Sequence, residues 1–399
     1  MKRIALLCCA CLMAIAGLAQ TASDYYQSPI DTSIASRFLG EQRGVTVILP
    51  RSFSKAKASR YPVIVVFDRQ NKRIFRQTFE SINYLYSFDE LPEAVIIGVA
   101  SENNQKRFLE TSLRPSTEQA RGEQMVRFLY EELLPWAEKE WNVGRARFFI
   151  GHSRFGYFSS YLLSSKLPDL SGVISLSPFY VQPKVNLVDS LSNKLTPTQL
   201  DHTVYYRFVT GDSLTDTRDY DLMQAFLTKT KPSKEFNWKG MAFYNARHMA
   251  VPGLGLMPSL VEIFDYWSEA MLQLLQSQEP FSEEVYNGFK QQMKRHYGEE
   301  IGLGLSVLNG IGYKFYNQGQ YAHARAAWMI VLQEYPMFTE ANISIANAYL
   351  KEGDQKAAAE FFNKAKQGLI GNGFYSREEV KELEKEIEEG VGATKTQRH

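Results

Sequence analysis

The sequence predicts an α/β domain with a mostly parallel sheet, followed by an all-α domain. Between residues 45 and 278, short β-branched apolar runs alternate with longer stretches of helical pattern. After about residue 279 the strand signal stops, and a 34-residue period appears within a continuous helical pattern. Apolar strands that alternate with helices are typical of a parallel sheet with helices on both faces.

The N-terminus has the pattern of a secretory signal peptide. Lys2 and Arg3 form a positive start, and residues 4–18 are apolar but too few to span a bilayer. A small-x-small pattern favours cleavage after Ala19. We therefore predict a signal peptide at residues 1–19, a secreted or periplasmic mature protein, and no membrane contact after cleavage.

The composition excludes several classes of function. All three cysteines, Cys8, Cys9 and Cys11, lie in the predicted signal peptide, so we expect no disulfide, thiol nucleophile or cysteine zinc site in the mature chain. The 45 basic and 44 acidic residues give a net charge of +1, and no basic block of the nucleic-acid-binding type occurs. We predict no nucleic-acid partner, no metal and no organic cofactor.

The α/β domain is predicted to span residues 24–278. Its longer helical stretches are 118–141, 157–167 and 217–227. In a parallel sheet, catalytic residues lie just beyond the carboxyl ends of the strands, so the candidate site consists of residues that follow the apolar runs. The predicted strands are the runs 45–49, 63–67, 95–99, 148–150, 173–176, 204–209 and 241–244.

The C-terminal part is predicted to hold two helical repeats at residues 301–373, after a connecting helix at 279–300. Small and aromatic residues recur 34 positions apart, in a pattern that resembles tetratricopeptide repeats. Two such units bury little surface alone, so helices at 281–297 and 376–389 are expected to cap them. Residues 374–399 are then the capping helix and tail. The equivalent pairs are Phe315 and Tyr349, Gly319 and Gly353, Ala324 and Ala358, and Trp328 and Phe362.

The stretch 147–160 predicts a catalytic serine. A strand pattern leads into a Gly-His-Ser turn that ends at Ser153, and a helical pattern follows at once. This strand–turn–helix order is typical of a nucleophile elbow, in which a serine is lifted above a parallel sheet. The G-x-S-x-G motif has a glycine two places after the serine. Here Phe155 takes that position, and Gly156 comes one place later.

A catalytic serine needs a base to take its proton and an acid to orient that base. Of the six histidines, His152 adjoins the serine and its backbone direction points it away, and His202 precedes a predicted strand. The others besides His248 lie in the helical region or at the C-terminus, which leaves His248, on the loop just past the run 241–244. The acid is expected after the preceding strand, where Asp212 is the better placed. Asp216 is the alternative, although it could instead cap a helix that starts at Thr217. The order serine, acid, histidine is that of α/β hydrolases.

Two backbone N–H groups are expected to hold the oxyanion of an acyl-transfer intermediate. One belongs to Arg154, directly after the serine, and the other is expected from Arg69, on the loop after the second predicted strand. Phe155 and Arg247 flank the same loops and are predicted to contact the substrate. The three arginines near these loops suggest an anionic or phenolate-bearing ester.

Residues 24–278 resemble the putative-esterase family of α/β hydrolases, and in particular its siderophore-esterase branch. The resemblance implies an α/β-hydrolase fold and serine-esterase chemistry, in which a Ser/His dyad can suffice. Three loops depart from the family pattern: Phe155 replaces the first of two paired glycines, Arg69 follows Asp68 where glycine is common, and a Met-Ala pair follows His248. The similar blocks are Tyr61 to Asp68, Leu91 to Val99 with Arg107 and Pro115 beyond, Gly151 to Ser153, Ser177-Pro178 and His248 to Pro252.

The sequence thus predicts an exported carboxylic-ester hydrolase that acts on a small-molecule ester through a Ser/His(/Asp) acyl-enzyme mechanism. The alternative is a catalytically impaired binding module with a hydrolase fold, which recruits a protein partner through its helical repeats. Phe155 in the elbow motivates that alternative, because a fold can outlast its chemistry.

Overall fold

The computed structural model describes residues 25–196, 198–212 and 214–396. The predicted signal peptide and the last three residues lie outside the described residues. None of the described helices is long and apolar enough to cross a membrane.

One eight-stranded sheet forms the centre of the α/β part, in the order β1-β2-β4-β3-β5-β6-β9-β10. Strands β1 and β2 pair antiparallel, as do β2 and β4, and all other neighbours are parallel. The predicted, mostly parallel sheet is therefore confirmed. The strands are β1 (Ile30–Ser36), β2 (Glu41–Ile48), β3 (Tyr61–Phe67), β4 (Val95–Val99), β5 (Val143–His152), β6 (Gly172–Leu176), β9 (Val204–Thr210) and β10 (Phe236–Ala242), with β7 (Val181–Gln182) and β8 (Val185–Asn186) in a separate hairpin.

Helices cover both faces of this sheet. Residues such as Ile64 and Ile150 point to one face and pack with α1 and α8, while Val65 and Phe149 belong to a second core on the other face. The helices of the α/β part are α1 (Lys72–Ser87), α2 (Asn104–Glu110), α3 (Gly122–Phe128), α4 (Leu134–Trp141), α5 (Arg154–Ser165), α6 (Leu187–Leu195), α7 (Leu214–Thr230) and α8 (Val251–Gln276).

Two local expectations need correction. The predicted helix 118–141 is interrupted, because the five residues Leu129–Leu133 between α3 and α4 form a π-helical turn. Pro135 lies at the start of α4 and has no N–H to donate, so the regular hydrogen-bond ladder cannot run through it. The last predicted strand, 241–244, is displaced: β10 ends at Ala242 and is half-exposed, so its apolar pattern is weak.

Among the described residues after β10, the regular secondary structure is helical. Helix α9 (Glu283–Tyr297) follows α8, and successive helices of the next four pack on one another. Gly319 and Gly353 both take the left-handed conformation just after a helix, 34 residues apart. This equivalence agrees with the predicted period, and the tetratricopeptide assignment stays a prediction. The remaining helices are α10 (Leu305–Asn317), α11 (Tyr321–Glu334), α12 (Glu340–Glu352), α13 (Gln355–Leu369) and α14 (Arg377–Thr396).

The helical region shares one continuous core with the sheet. The cluster that contains Ile64 and Ile150 extends through Phe264 of α8 to Trp328 of α11 and Ile345 of α12. The helical region is therefore part of the folded unit rather than a tethered appendage.

A buried polar cluster also joins the two parts. Glu93, 2% exposed, accepts hydrogen bonds from Lys57 Nζ at 2.8 Å, the Tyr335 hydroxyl at 2.6 Å and the Tyr86 hydroxyl at 3.0 Å. Burial alone would raise the pKa of Glu93, but Lys57 and the hydrogen bonds, one of them from Ser52, hold it below its ordinary value. The buried ion pair of Lys57 and Glu93, from the α/β part, is thus hydrogen-bonded by Tyr335, which directly follows α11.

Candidate active site

Ser153 lies on a sharp turn at the centre of the sheet. It follows the last residue of β5, between β3 and β6, and directly precedes α5. Its backbone has φ 58° and ψ −116°, a strained conformation for an L-residue. The Ser153 N–H donates to the Leu176 carbonyl at 2.8 Å, which holds the turn against β6. This is the geometry expected of a nucleophile elbow.

Glycine is required two positions before the serine. A Cβ at Gly151 would lie 2.1 Å from the carbonyl oxygen of Phe155, because the turn folds the chain back on itself. Gly156 occupies the second close approach, where a Cβ would lie 3.0 Å from the Leu176 carbonyl oxygen. Gly156, one place later than the motif requires, is therefore the residue that leaves room for the close contact with β6.

Phe155 does not contact the cavity, so the prediction that it binds substrate is wrong. Its side chain is fully buried and stacks on Phe67 of β3, with ring centroids 4.7 Å apart and planes 7° apart. Phe158 packs edge-on against it at 5.9 Å. The ring points into the core below the turn, where it fills a gap and leaves the strained backbone of Ser153 in place.

Ser153 and His248 line the same open cavity, of about 380 Å³. Within the described residues, the structure records no hydrogen bond to the Ser153 hydroxyl, so the serine and His248 share a pocket without a direct bond. Catalytic hydrogen bonds in unliganded enzymes are often long and tighten when substrate binds. The other lining residues are Asp68, Gln70, Asn71, Asn104, Arg107, His152 and Met249.

The loop that carries His248, between β10 and α8, is fixed from two sides. The His152 ring lies 4.7 Å from the His248 ring, and its Nε2 is 3.1 Å from the His248 carbonyl oxygen. Since a carbonyl only accepts, His152 is the donor. On the other side, the Asp212 N–H donates to the Ala246 carbonyl at 2.5 Å. A Cβ at Gly211 would lie 2.3 Å from that same oxygen, so only glycine allows this approach.

The two aspartates predicted as the acid both lie after β9, one before α7 and one inside it. Asp212 is exposed and follows β9 as predicted, but its carboxylate makes no recorded hydrogen bond to His248. Asp216 lies inside the first turn of α7, which begins at Leu214. The expectation that Asp216 caps a helix from Thr217 is therefore wrong, because the helix starts three residues earlier. The side chain of Asp216 is outside the described atoms.

A matched pair of variants separates these carboxylates. We expect Asp212→Asn to keep kcat/KM for p-nitrophenyl butyrate within about threefold, because its carboxylate is solvated and not bonded to His248. If Asp216→Asn loses kcat/KM on the order of 10²- to 10⁴-fold, the acid is Asp216. If both variants keep kcat/KM close to that of the wild type, the site acts as a Ser/His dyad. A large loss confined to Asp212→Asn would contradict this expectation.

Comparison with known proteins places the α/β part in a family. The sequence profile of the Putative esterase family matches residues 36–243, just over half of the chain. The chain belongs to this esterase family. No curated protein sequence matches it.

Solved structures share the fold at low sequence identity. An uncharacterised protein from Capnocytophaga ochracea aligns with 90% of this chain and 100% of its own, at 16% identity and a TM-score of 0.55. An IroE-like serine hydrolase from Shewanella oneidensis covers 77% of this chain and 98% of its own, at 16% identity and a TM-score of 0.60. The BES protein from Bacillus cereus covers 59% and 96%, at 17% identity and a TM-score of 0.50. The first alignment reaches beyond the esterase domain into the helical region.

The two backbone N–H groups predicted to hold an oxyanion differ in whether they are free to do so. Arg154 is the first residue of α5, and its N–H has no partner within the helix, as for any first-turn residue. The N–H of Arg69, however, donates to the Val99 carbonyl at 3.1 Å, which extends the β3–β4 ladder by one bond. Arg69 is therefore not available. The next N–H, that of Gln70, has no recorded acceptor among the described residues, and Gln70 lines the cavity.

An ion pair missed by the sequence analysis forms one wall of the cavity. Asp68, 4% exposed, accepts from Arg107 Nε at 2.7 Å and Nη2 at 2.6 Å, and from the Gln70 amide at 2.8 Å. The Arg107 guanidinium also lies 5.7 Å above the Phe155 ring. The positive charge at the cavity is thus balanced by a carboxylate, and the loop that carries Gln70 is held in one position.

The three arginines predicted to mark an anionic substrate do not line the cavity. The Arg69 side chain binds Asp31 and Thr46. The Arg154 guanidinium stacks on Phe108 at 4.2 Å; burial, and next the charge of Arg107, lower its pKa to about 10, so it stays charged at neutral pH. Arg247 is exposed and outside the lining. The predictions that Arg247 contacts substrate and that these cations select an anionic ester gain no support.

His152 makes stability depend on pH. Burial, and next the charge of His248, lower its pKa from 6.5 to about 4. The unfolded chain therefore binds a proton at this residue at higher pH than the folded chain does. The free energy of unfolding should fall as pH drops from about 6.5 to 4, by about 3 kcal/mol from this residue.

Urea denaturation between pH 7 and 4.5 tests this expectation. His152→Gln keeps a donor for the His248 carbonyl but cannot protonate, so its stability should fall less steeply with acid than that of the wild type. Parallel curves for the two proteins would refute the assignment to His152.

Proposed function

We propose that this protein is an exported serine esterase that hydrolyses a small-molecule carboxylic ester through an acyl-enzyme. The observation that carries the proposal is the strained turn of Ser153 at the carboxyl edge of β5, in one cavity with His248. The family assignment supports ester hydrolysis as the reaction class. The chain order of serine and histidine is that of α/β hydrolases.

The proposed mechanism has two stages. His248 takes the Ser153 hydroxyl proton while the oxygen attacks the ester carbonyl. The N–H groups of Arg154 and Gln70 stabilise the negative oxygen of the tetrahedral intermediate. His248 then returns the proton to the departing alcohol, and water, activated by the same imidazole, releases the carboxylic acid and restores the serine.

Helix α5 supports this chemistry electrostatically. Its N-terminus lies at Arg154, so the positive end of the helix dipole faces the position of the developing oxyanion. The neutral state of His152 at pH 7 avoids an additional positive charge beside the base. Both features favour a proton transfer from Ser153 to His248.

The binding-module alternative has less support. Its main motivation is a displaced serine, whereas Phe155 is accommodated within the core and the turn keeps positive φ. The repeats also pack against the esterase domain through the shared core, so part of their surface is already occupied. Export stays part of the proposal, and N-terminal sequencing of the periplasmic protein should read from Gln20.

Turnover of p-nitrophenyl butyrate by the mature protein tests the proposal. We expect His248→Gln to lose kcat by a factor on the order of 10³ or more, because the glutamine amide cannot accept the serine proton as an imidazole does. His323→Gln, in the helical region, is the matched control and should keep full activity. Wild-type turnover equal to that of His248→Gln would refute the proposal.

A further inference from the structure

A second cavity, of about 400 Å³, lies where the helical region meets the esterase domain. It is remote in sequence from the Ser153 site and shares none of its lining residues. One side is formed by residues that precede β1, follow β2, end α1 and precede β4. The other side is formed by the start of α10, the start of α12 and the segment before α14. Its size suits a small organic molecule.

Two pairs of aromatic rings line this junction cavity. Tyr25 and Tyr86 meet edge-to-face on the esterase side, with centroids 5.9 Å apart. Phe338 and Phe374 form an equivalent pair on the helical side, with centroids 6.0 Å apart. Aromatic walls on both sides offer a large apolar contact area, and the faces of aromatic rings attract cations.

The cavity also holds a carboxylate without a counter-ion. The Glu340 side chain is half-buried, and no hydrogen bond or ion pair of its carboxylate is recorded among the described residues. Burial, and next the negative charges of Glu386 and Glu379, raise the pKa of Glu340. The other carboxylate of the cavity, Glu93, is already paired with Lys57. A positive group bound beside Glu340 would therefore relieve an unbalanced charge.

We propose that the junction cavity binds an organic cation, an ammonium group on an apolar body, with the Glu340 carboxylate as counter-ion and the aromatic pairs as walls. The site is independent of the ester-hydrolysing cavity. Because its walls come from both parts of the chain, an occupant bridges the esterase domain and the repeats. Aromatic side chains with a carboxylate are the usual recognition chemistry for ammonium ligands.

Arg51 offers the opposite reading, because it also lines the cavity. Arg51 is exposed, and its charge interacts favourably with the carboxylate of Glu379, which does not line the cavity. An anionic ligand would depend on Arg51, whereas the proposed cation depends on Glu340. The two readings therefore predict opposite effects of substitution.

Isothermal titration of the full mature protein with benzyltrimethylammonium tests the proposal, with choline and its neutral isostere 3,3-dimethyl-1-butanol as a matched pair. We expect choline to bind at least about tenfold more tightly than the isostere. Glu340→Gln should weaken binding of benzyltrimethylammonium about tenfold or more, while Arg51→Gln should leave it unchanged or tighten it.

Two controls keep the result interpretable. Phe374→Leu removes one aromatic face but keeps apolar volume, and it should weaken cation binding while thermal unfolding confirms that each variant is folded. Protein that has been chemically inactivated at Ser153 should bind the cation with the same affinity as the unmodified protein. The proposal would be overturned if benzyltrimethylammonium did not bind, or if choline bound no more tightly than its neutral isostere. It would also be overturned if Glu340→Gln bound benzyltrimethylammonium as tightly as the wild type, or if only Arg51→Gln lost binding.

Discussion

Ser153→Ala is expected to abolish hydrolysis of p-nitrophenyl butyrate, with a loss in kcat on the order of 10⁴-fold or more. In the proposed mechanism the acyl-enzyme forms on this hydroxyl, and the substitution removes it without changing the charge of the cavity. Alanine at position 153 has the same backbone strain at positive φ as serine, so the substitution adds none. Its N–H can still donate to the Leu176 carbonyl, and we therefore expect the turn to keep its shape. The residual rate would come from the oxyanion donors and substrate binding alone.

The matched control is Ser165→Ala, at the other end of the same helix. That hydroxyl bonds to the Tyr161 carbonyl and is absent from the cavity lining. We expect it to keep full activity. Equal activity of wild type and Ser153→Ala, with both proteins folded, would show that the observed hydrolysis occurs elsewhere.

The second large effect is expected on stability. Glu93→Gln should lower the free energy of unfolding by about 3–5 kcal/mol, because it leaves the buried Lys57 ammonium without its counter-charge. The Tyr335 hydroxyl, which donates to the same carboxylate, also loses its best partner. Since Tyr335 belongs to the helical region, we expect the loss of this hydrogen bond to destabilise both the α/β part and the helical region.

Urea denaturation at pH 7 measures this effect. Glu80→Gln is the control: its side chain is half-exposed and, among the described residues, pairs with Arg76 at 3.7 Å, so the expected change is below about 0.5 kcal/mol. A double variant, Lys57→Met with Glu93→Leu, should recover part of the loss, because it removes both buried charges. A Glu93→Gln variant as stable as Glu80→Gln would mean that the buried pair does not hold the two parts together.

Much of the fold was predictable because the central strands are buried on both faces. Runs such as 63–67 and 95–99 are continuously apolar and correspond to β3 and β4 almost residue for residue. The edge strands were not predictable in this way. Strand β1 is largely exposed and polar, so its backbone pairing with β2 leaves no apolar run to recognise.

The candidate site was predictable where it depends on local sequence and chain order, as for Ser153 and His248. It was not predictable where it depends on register. Whether Arg69 or Gln70 offers a free N–H is decided by one more ladder bond to Val99, which the sequence does not specify. Likewise, the elbow motif specifies glycines near the serine and therefore makes Phe155 look unfavourable. Whether Phe155 fits depends on its stacking against Phe67 of β3, which the motif does not describe.

The position of Arg107 depends on long-range packing as well. It lies on α2, which is held by a buried ion pair between Glu110 and Arg43 of β2, with Ser101 donating to the same carboxylate at 2.7 Å. Nothing local to residue 107 indicates that its side chain reaches Asp68. A three-dimensional contact between two strands and a helix was needed to identify that wall of the cavity.

Labelling of the mature protein with a fluorophosphonate, followed by mass-spectrometric mapping of the adduct, tests the central claim most directly. Such probes react with a serine only when a neighbouring base activates it. We predict one adduct, on Ser153, that is absent in His248→Ala. An unlabelled wild-type protein, or an adduct on another serine, would contradict the assignment of Ser153 as a nucleophile activated by His248.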